Sequence, residues 1–116
     1  MMMNYARYIR EDRRLIALRV LAEAPGHTIN HFVLHTILGA LGHCVSRDQV
    51  RGECAWLAEQ GLVTVAEHGQ DDAAIAVITL TQRGDDVAAG RVTVPGVKRP
   101  TPGVDYPPQD ISRGGS

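Results

Sequence analysis

Ser46-Arg47-Asp48-Gln49-Val50-Arg51-Gly52-Glu53-Cys54-Ala55-Trp56-Leu57-Ala58-Glu59-Gln60-Gly61-Leu62-Val63 decides how the rest of the chain is read. Ser46 with Gln49 three residues later is a capping box. The Ser46 hydroxyl accepts from the Gln49 backbone N–H, and the Gln49 amide reaches back to the backbone of Ser46. Val50, Cys54 and Leu57 then recur at i, i+4 and i+7, which predicts one buried helical face. Gly61 supplies the C′ position that stops the helix. The stretch Leu62–Glu67 follows at once and reads as a strand, so this region is a helix running directly into a sheet.

Upstream, Asn30 is an N-cap for a helix with apolar residues Phe32, Val33, Leu34, Ile37, Leu38 and Leu41, closed by Gly42. Only Gly42 to Val45 join it to the helix that follows, a connection as short as a helix-turn-helix uses. A first helix is predicted from Asn4 to about Ala24, ended by Pro25-Gly26. Downstream, β-branched residues at 75–80 predict a second strand. The polar link His68–Ala74 makes the two strands a hairpin with a long tip. Thr81 caps a short helix from Gln82 to Ala89.

The order is α-α-α-β-β-α: a mainly α chain with a small β-hairpin, the plan of a winged helix-turn-helix. Residues 1–90 are expected to form that domain. Residues 91–116 hold five of the six prolines and four glycines, and are expected to be a largely extended or disordered tail.

The chain has 116 residues and a formal net charge of −1, so no global basic footprint marks it for nucleic acid. The distribution is uneven, however. Five of the 12 basic residues lie between Arg7 and Arg19, and Lys98 is the only lysine. Arginine offers a planar fork suited to phosphates and guanine edges. Two cysteines without a CxxC pair read as reduced thiols. With no apolar membrane-length run and no secretory leader pattern, the chain is expected to be cytoplasmic in its host.

With Val50, Cys54 and Leu57 inward, Arg47, Asp48, Arg51, Gly52 and Ala55 face outward, which makes the helix begun at Ser46 a candidate recognition helix. Ser46, Arg47, Gln49 and Arg51 are its candidate DNA contacts. The N-terminal arginines Arg7, Arg10, Arg13 and Arg14 are either phosphate or partner contacts, or a solvated face paired with Glu11 and Asp12. Asp71-Asp72 at the hairpin tip argue that the wing does not grip DNA. His31 and His35 have metal-ligand spacing on one helix, but neither HExxH nor a carboxylate between them is present, and no metal or cofactor is expected. No catalytic motif is found, so an enzyme is not expected.

Two motifs carry a resemblance. Trp56-Leu57-Ala58-Glu59-Gln60-Gly61-Leu62-Val63 resembles the end of the recognition helix and the start of the wing in many winged-helix regulators. Leu80-Thr81-Gln82-Arg83-Gly84 looks like the entry to the helix after the wing. Together with the opening Asn4–Arg14 and the stretch Val94-Pro95-Gly96-Val97-Lys98-Arg99-Pro100, they make residues 4–100 similar to small winged-helix proteins of Mu-like phages and prophages, often labelled ArsR-like transcriptional regulators. That resemblance implies a phage or prophage protein of winged-helix fold. The paired cysteines of the metal-sensing ArsR regulators are missing, since Cys54 stands alone.

Two function classes remain. One is a DNA-binding transcriptional regulator on double-stranded DNA. It would be a homodimer, paired through its first or last helix, with Tyr5, Tyr8 and Ile9 able to supply an apolar patch. The other is a protein-interaction or phage assembly or packaging module that keeps the fold without specific DNA binding. The acidic hairpin tip supports the second class, and the DNA-binding regulator is the first expectation.

Overall fold

One helix organises the molecule. The computed structural model describes residues 4–101, and in it α1 spans Tyr5–Glu23 with Leu15, Ile16, Ala17, Leu18, Val20 and Leu21 all buried. A helix that is apolar all round is a core helix, so the second half of α1 is surrounded, while its first turns stay open with Tyr5 and Tyr8 exposed. Asn4 caps it by accepting from the Arg7 N–H at 3.1 Å.

After a 3-10 turn at Pro25–His27 come β1 (Thr28–Asn30), α2 (His31–Ala40), α3 (Arg47–Glu59), β2 (Val63–His68), β3 (Ile75–Leu80) and α4 (Gln82–Ala88). Leu34 and Leu38 of α2, Val50, Cys54 and Leu57 of α3, and Ile78 of β3 join the α1 leucines in one core. Each leucine so buried contributes roughly 1.5–3 kcal/mol. Asn30 caps α2 through Val33 N, and Thr81 caps α4 through Gly84 N. Gly84 has no room for a side chain: a Cβ there would overlap the Leu62 carbonyl.

The sheet has three strands in the order β1-β3-β2, all antiparallel. The hairpin β2-β3 is where the sequence puts it. Strand β1 is an addition to the expected order. It has only three residues, too few to show alternation, and it forms because β3 has a second edge to pair. Ile29 lies opposite Ile78, and the hydroxyls of Thr28 and Thr79 share a hydrogen bond of 3.0 Å.

The segment after α4 also differs from expectation. Residues 91–101 form no helix or strand, yet Val94 and Val97 are buried in the core. The Lys98 N–H donates to the Glu11 carbonyl, and Arg14 donates to the Gly96 carbonyl. Pro100 returns to Gly90, so the segment is an Ω-loop with closed ends. Proline and glycine content suggests an open tail, but two valines three positions apart are enough to fasten it. The remaining expected tail, 102–116, lies outside the described residues.

Candidate nucleic-acid interface

The N-terminus of α3 is built by its own sequence. Ser46 Oγ accepts from Gln49 N at 3.1 Å, and Gln49 Oε1 accepts from Ser46 N at 3.0 Å. The box therefore forms as read, with a consequence for recognition. The Ser46 hydroxyl oxygen and the Gln49 carbonyl oxygen are engaged, and the Gln49 NH2 remains to donate outward.

Arg47 is exposed, with its guanidinium over the Phe32 ring at 5.1 Å. No carboxylate pairs with it among the described residues. The ring supports the side chain without neutralising it.

Arg51 is engaged. It donates to Glu67 of β2 at 2.7 Å, and its other terminal nitrogen lies 3.4 and 3.5 Å from the two ring nitrogens of His31. His31 is buried, and its Nδ1 accepts from the Ala76 backbone N–H at 3.0 Å. That bond requires an unprotonated Nδ1, so the ring is neutral with its proton on Nε2. Burial first, and then the Arg51 charge, push the His31 pKa below its ordinary value. His31, Arg51 and Glu67 thereby join α2, α3 and β2 at one point. A concavity of about 460 Å³ opens beside them, lined by His31, Phe32, Arg47, Asp48, Arg51 and Asp71.

The four N-terminal arginines separate. Arg7 pairs with Glu11 at 3.0 Å. Arg13 and Arg14 turn inward onto Glu53 of α3, at 3.0 and 2.8 Å, and Arg14 also stacks on Trp56 at 3.8 Å. Arg10 alone of the four stays exposed without a carboxylate among the described residues. It shares a second groove, of about 520 Å³, with Tyr5, Ile9, Gln49 and Gly52. The sequence reading missed the partners Glu53, Glu67 and Phe32. The first two lie 16 to 40 residues from the arginines they hold, beyond any local spacing rule.

The histidine pair does not converge. His31 is turned to Ala76 N, and His35 Nε2 meets the Val45 carbonyl at 2.7 Å. Among the described residues no three His, Cys, Asp or Glu side chains group as metal ligands. The Cys54 thiol is buried, and burial pushes its pKa up to about 12, which suppresses the thiolate. No helix among the described residues is long and apolar enough to cross a membrane.

No family model matches the sequence. The uncharacterised protein gp26 of Escherichia phage Mu is 52% identical over 92 residues, which is 79% of this chain and 91% of the Mu protein. An uncharacterised protein of Haemophilus influenzae is 43% identical over 77 residues, 66% of this chain and 74% of that protein. Among solved structures, Bacillus subtilis PadR in complex with operator DNA superposes with a TM-score of 0.52 at 13% identity, covering 87% of this chain and 57% of PadR. At that identity the likeness is one of fold, and the fold is the winged helix.

Proposed function

We propose that this chain, which belongs to the family of the phage Mu protein gp26, is a phage or prophage regulator that binds double-stranded DNA through α3. The observation that supports this most is Arg47. It stands exposed at the capped start of the helix, held over Phe32 and answered by no carboxylate among the described residues. The first turn of a recognition helix is the part that reaches base edges, and an arginine there can pair with guanine O6 and N7 or hold a phosphate. The fold shared with PadR, whose structure contains operator DNA, is consistent with the reading. Gln49 adds an outward amide donor, while Arg51 supports the helix from the wing side. The reading includes a homodimer, whose two α3 helices would meet half-sites about 34 Å apart. ArsR-like metal sensing is not part of it, because Cys54 is a buried thiol.

The test is fluorescence anisotropy with labelled duplexes tiled across the regulatory region of the host phage, in a salt series. Binding that weakens steeply with salt and is lost selectively in Arg47→Ala supports the reading. Flat curves at low salt for every fragment reject it. The second reading, a protein-interaction or phage assembly and packaging module, is favoured by one observation. The wing exposes Glu67 and Asp71, followed in sequence by Asp72. It predicts a captured protein partner that Asp71→Lys releases, with no salt-sensitive DNA binding.

A further inference from the structure

We infer that the groove between the first turns of α1 and α3 is a backbone-contact surface for duplex DNA, with Arg10 on a phosphate. The duplex is then gripped from the α1 side of the recognition helix and not from the wing. The inference rests on the DNA-binding reading above and adds where the non-reading contacts lie.

Geometry comes first. Gln49 and Gly52 of α3 line the same groove as Tyr5, Ile9 and Arg10 of α1. A phosphate strand that follows the N-terminal part of α3 on this side therefore meets Arg10 next. The passage is open at Gly52, where a Cβ would meet nothing within 4 Å. Tyr5, 74% exposed at the rim, offers a hydroxyl donor as well.

Charge points the same way. Glu53 lines the groove, but both its oxygens are taken, one by Arg13 and one by Arg14, so that cluster carries one net positive charge. Arg10 adds a second, and Arg7 is balanced by Glu11. On the wing side, Asp48, Glu67 and Asp71 stand against Arg47 and Arg51, a balance of one negative charge among the described side chains. A polyanion approaching α3 is drawn to the α1 flank and repelled by the wing flank.

The experiment uses the full chain and 24-base-pair labelled duplexes of mixed sequence in potassium chloride. Arg10→Ala should weaken binding about five- to tenfold at low salt, equally across sequences, and reduce the slope of log K against log salt by about one. Gly52→Glu, which places a carboxylate in the passage, should weaken binding similarly. Arg83→Ala, on α4 where it donates to the Gln60 carbonyl at the C-terminal end of α3, removes the same net charge and should leave the slope unchanged. Matching thermal melts confirm that the variants fold. An unchanged slope in Arg10→Ala, with wild-type binding intact, overturns the inference and leaves the DNA-binding reading standing. An equal loss in Arg83→Ala overturns it as a net-charge effect. Dissociation of a dimer by Gly52→Glu without loss of DNA affinity per protomer assigns the groove to a second copy and also overturns it. Absence of salt-sensitive binding by the wild-type chain rejects the underlying reading itself.

Discussion

Helix α3 takes part in two arginine–glutamate pairings that look alike in sequence and differ in kind. Glu53 faces α1 and receives Arg13 and Arg14, with all three side chains only 11–14% exposed. Arg51 faces the wing and meets Glu67, with exposures of 32% and 51%. The first cluster is almost dry, so breaking it leaves buried charge unanswered. The second is wet and screened, so its partner can be exchanged at little cost. Burial, more than the number of arginines, decides which cations a phosphate can recruit.

The largest expected effect comes from dissolving the dry cluster. Glu53→Ala leaves two nearly buried guanidinium groups without their carboxylate, and should destabilise the fold by about 3–5 kcal/mol, read from urea denaturation. A loss below about 1 kcal/mol would show that the cluster is as exchangeable as the wing pair. Next in size is Arg47→Ala. It should cost about 1–3 kcal/mol of DNA affinity, yet change thermal stability by no more than about 0.5 kcal/mol, because the residue is exposed.

The wing-side junction gives a smaller and pH-dependent effect. His31 has its pKa lowered in the fold, so below the unfolded value of about 6.5 the unfolded chain binds more protons. Stability contributed by neutral His31 is therefore present above that pH and is lost as pH falls toward the lowered folded value. Melting temperature should drop between pH 7 and pH 5. In His31→Gln, whose amide oxygen can still accept from Ala76 N, that part of the drop should disappear; an identical pH profile would contradict the assignment. Smallest is Glu67→Gln. It should change stability by less than about 1 kcal/mol while raising DNA affinity, because Arg51 is then freed of a competing carboxylate.

What the sequence disclosed follows the range of the interactions. The capping box and the Asn30 and Thr81 caps have partners three residues away, the β2-β3 hairpin joins neighbouring strands through one loop, and all stand where the sequence puts them. Strand β1 was not legible, because three residues carry no period, and its pairing with Thr79, Ile78 and Val77 lies about 50 positions away. The Ω-loop was hidden for a related reason: its composition is that of a tail, and only the folded core gives Val94 and Val97 a place to bury. At the candidate interface, the outward face of α3 could be read from its apolar spacing. That Arg13 and Arg14 are withdrawn while Arg10 and Arg47 remain available depends on the packing of α1 against α3.

The loop that closes over α3 has an optical consequence. Trp56, the chain's only tryptophan, lies under Gly96. Gly96 has φ +97°, and a Cβ there would strike the indole at 2.7 Å, so the backbone itself is the lid on the ring. Trp56 and Arg47 are nine positions apart, about 180° around the helix. Indole emission therefore reports the C-terminal clasp from the side of α3 opposite Arg47. A red shift marks the clasp opening, and a signal unmoved on adding duplex means that it stays shut while Arg47 is in use.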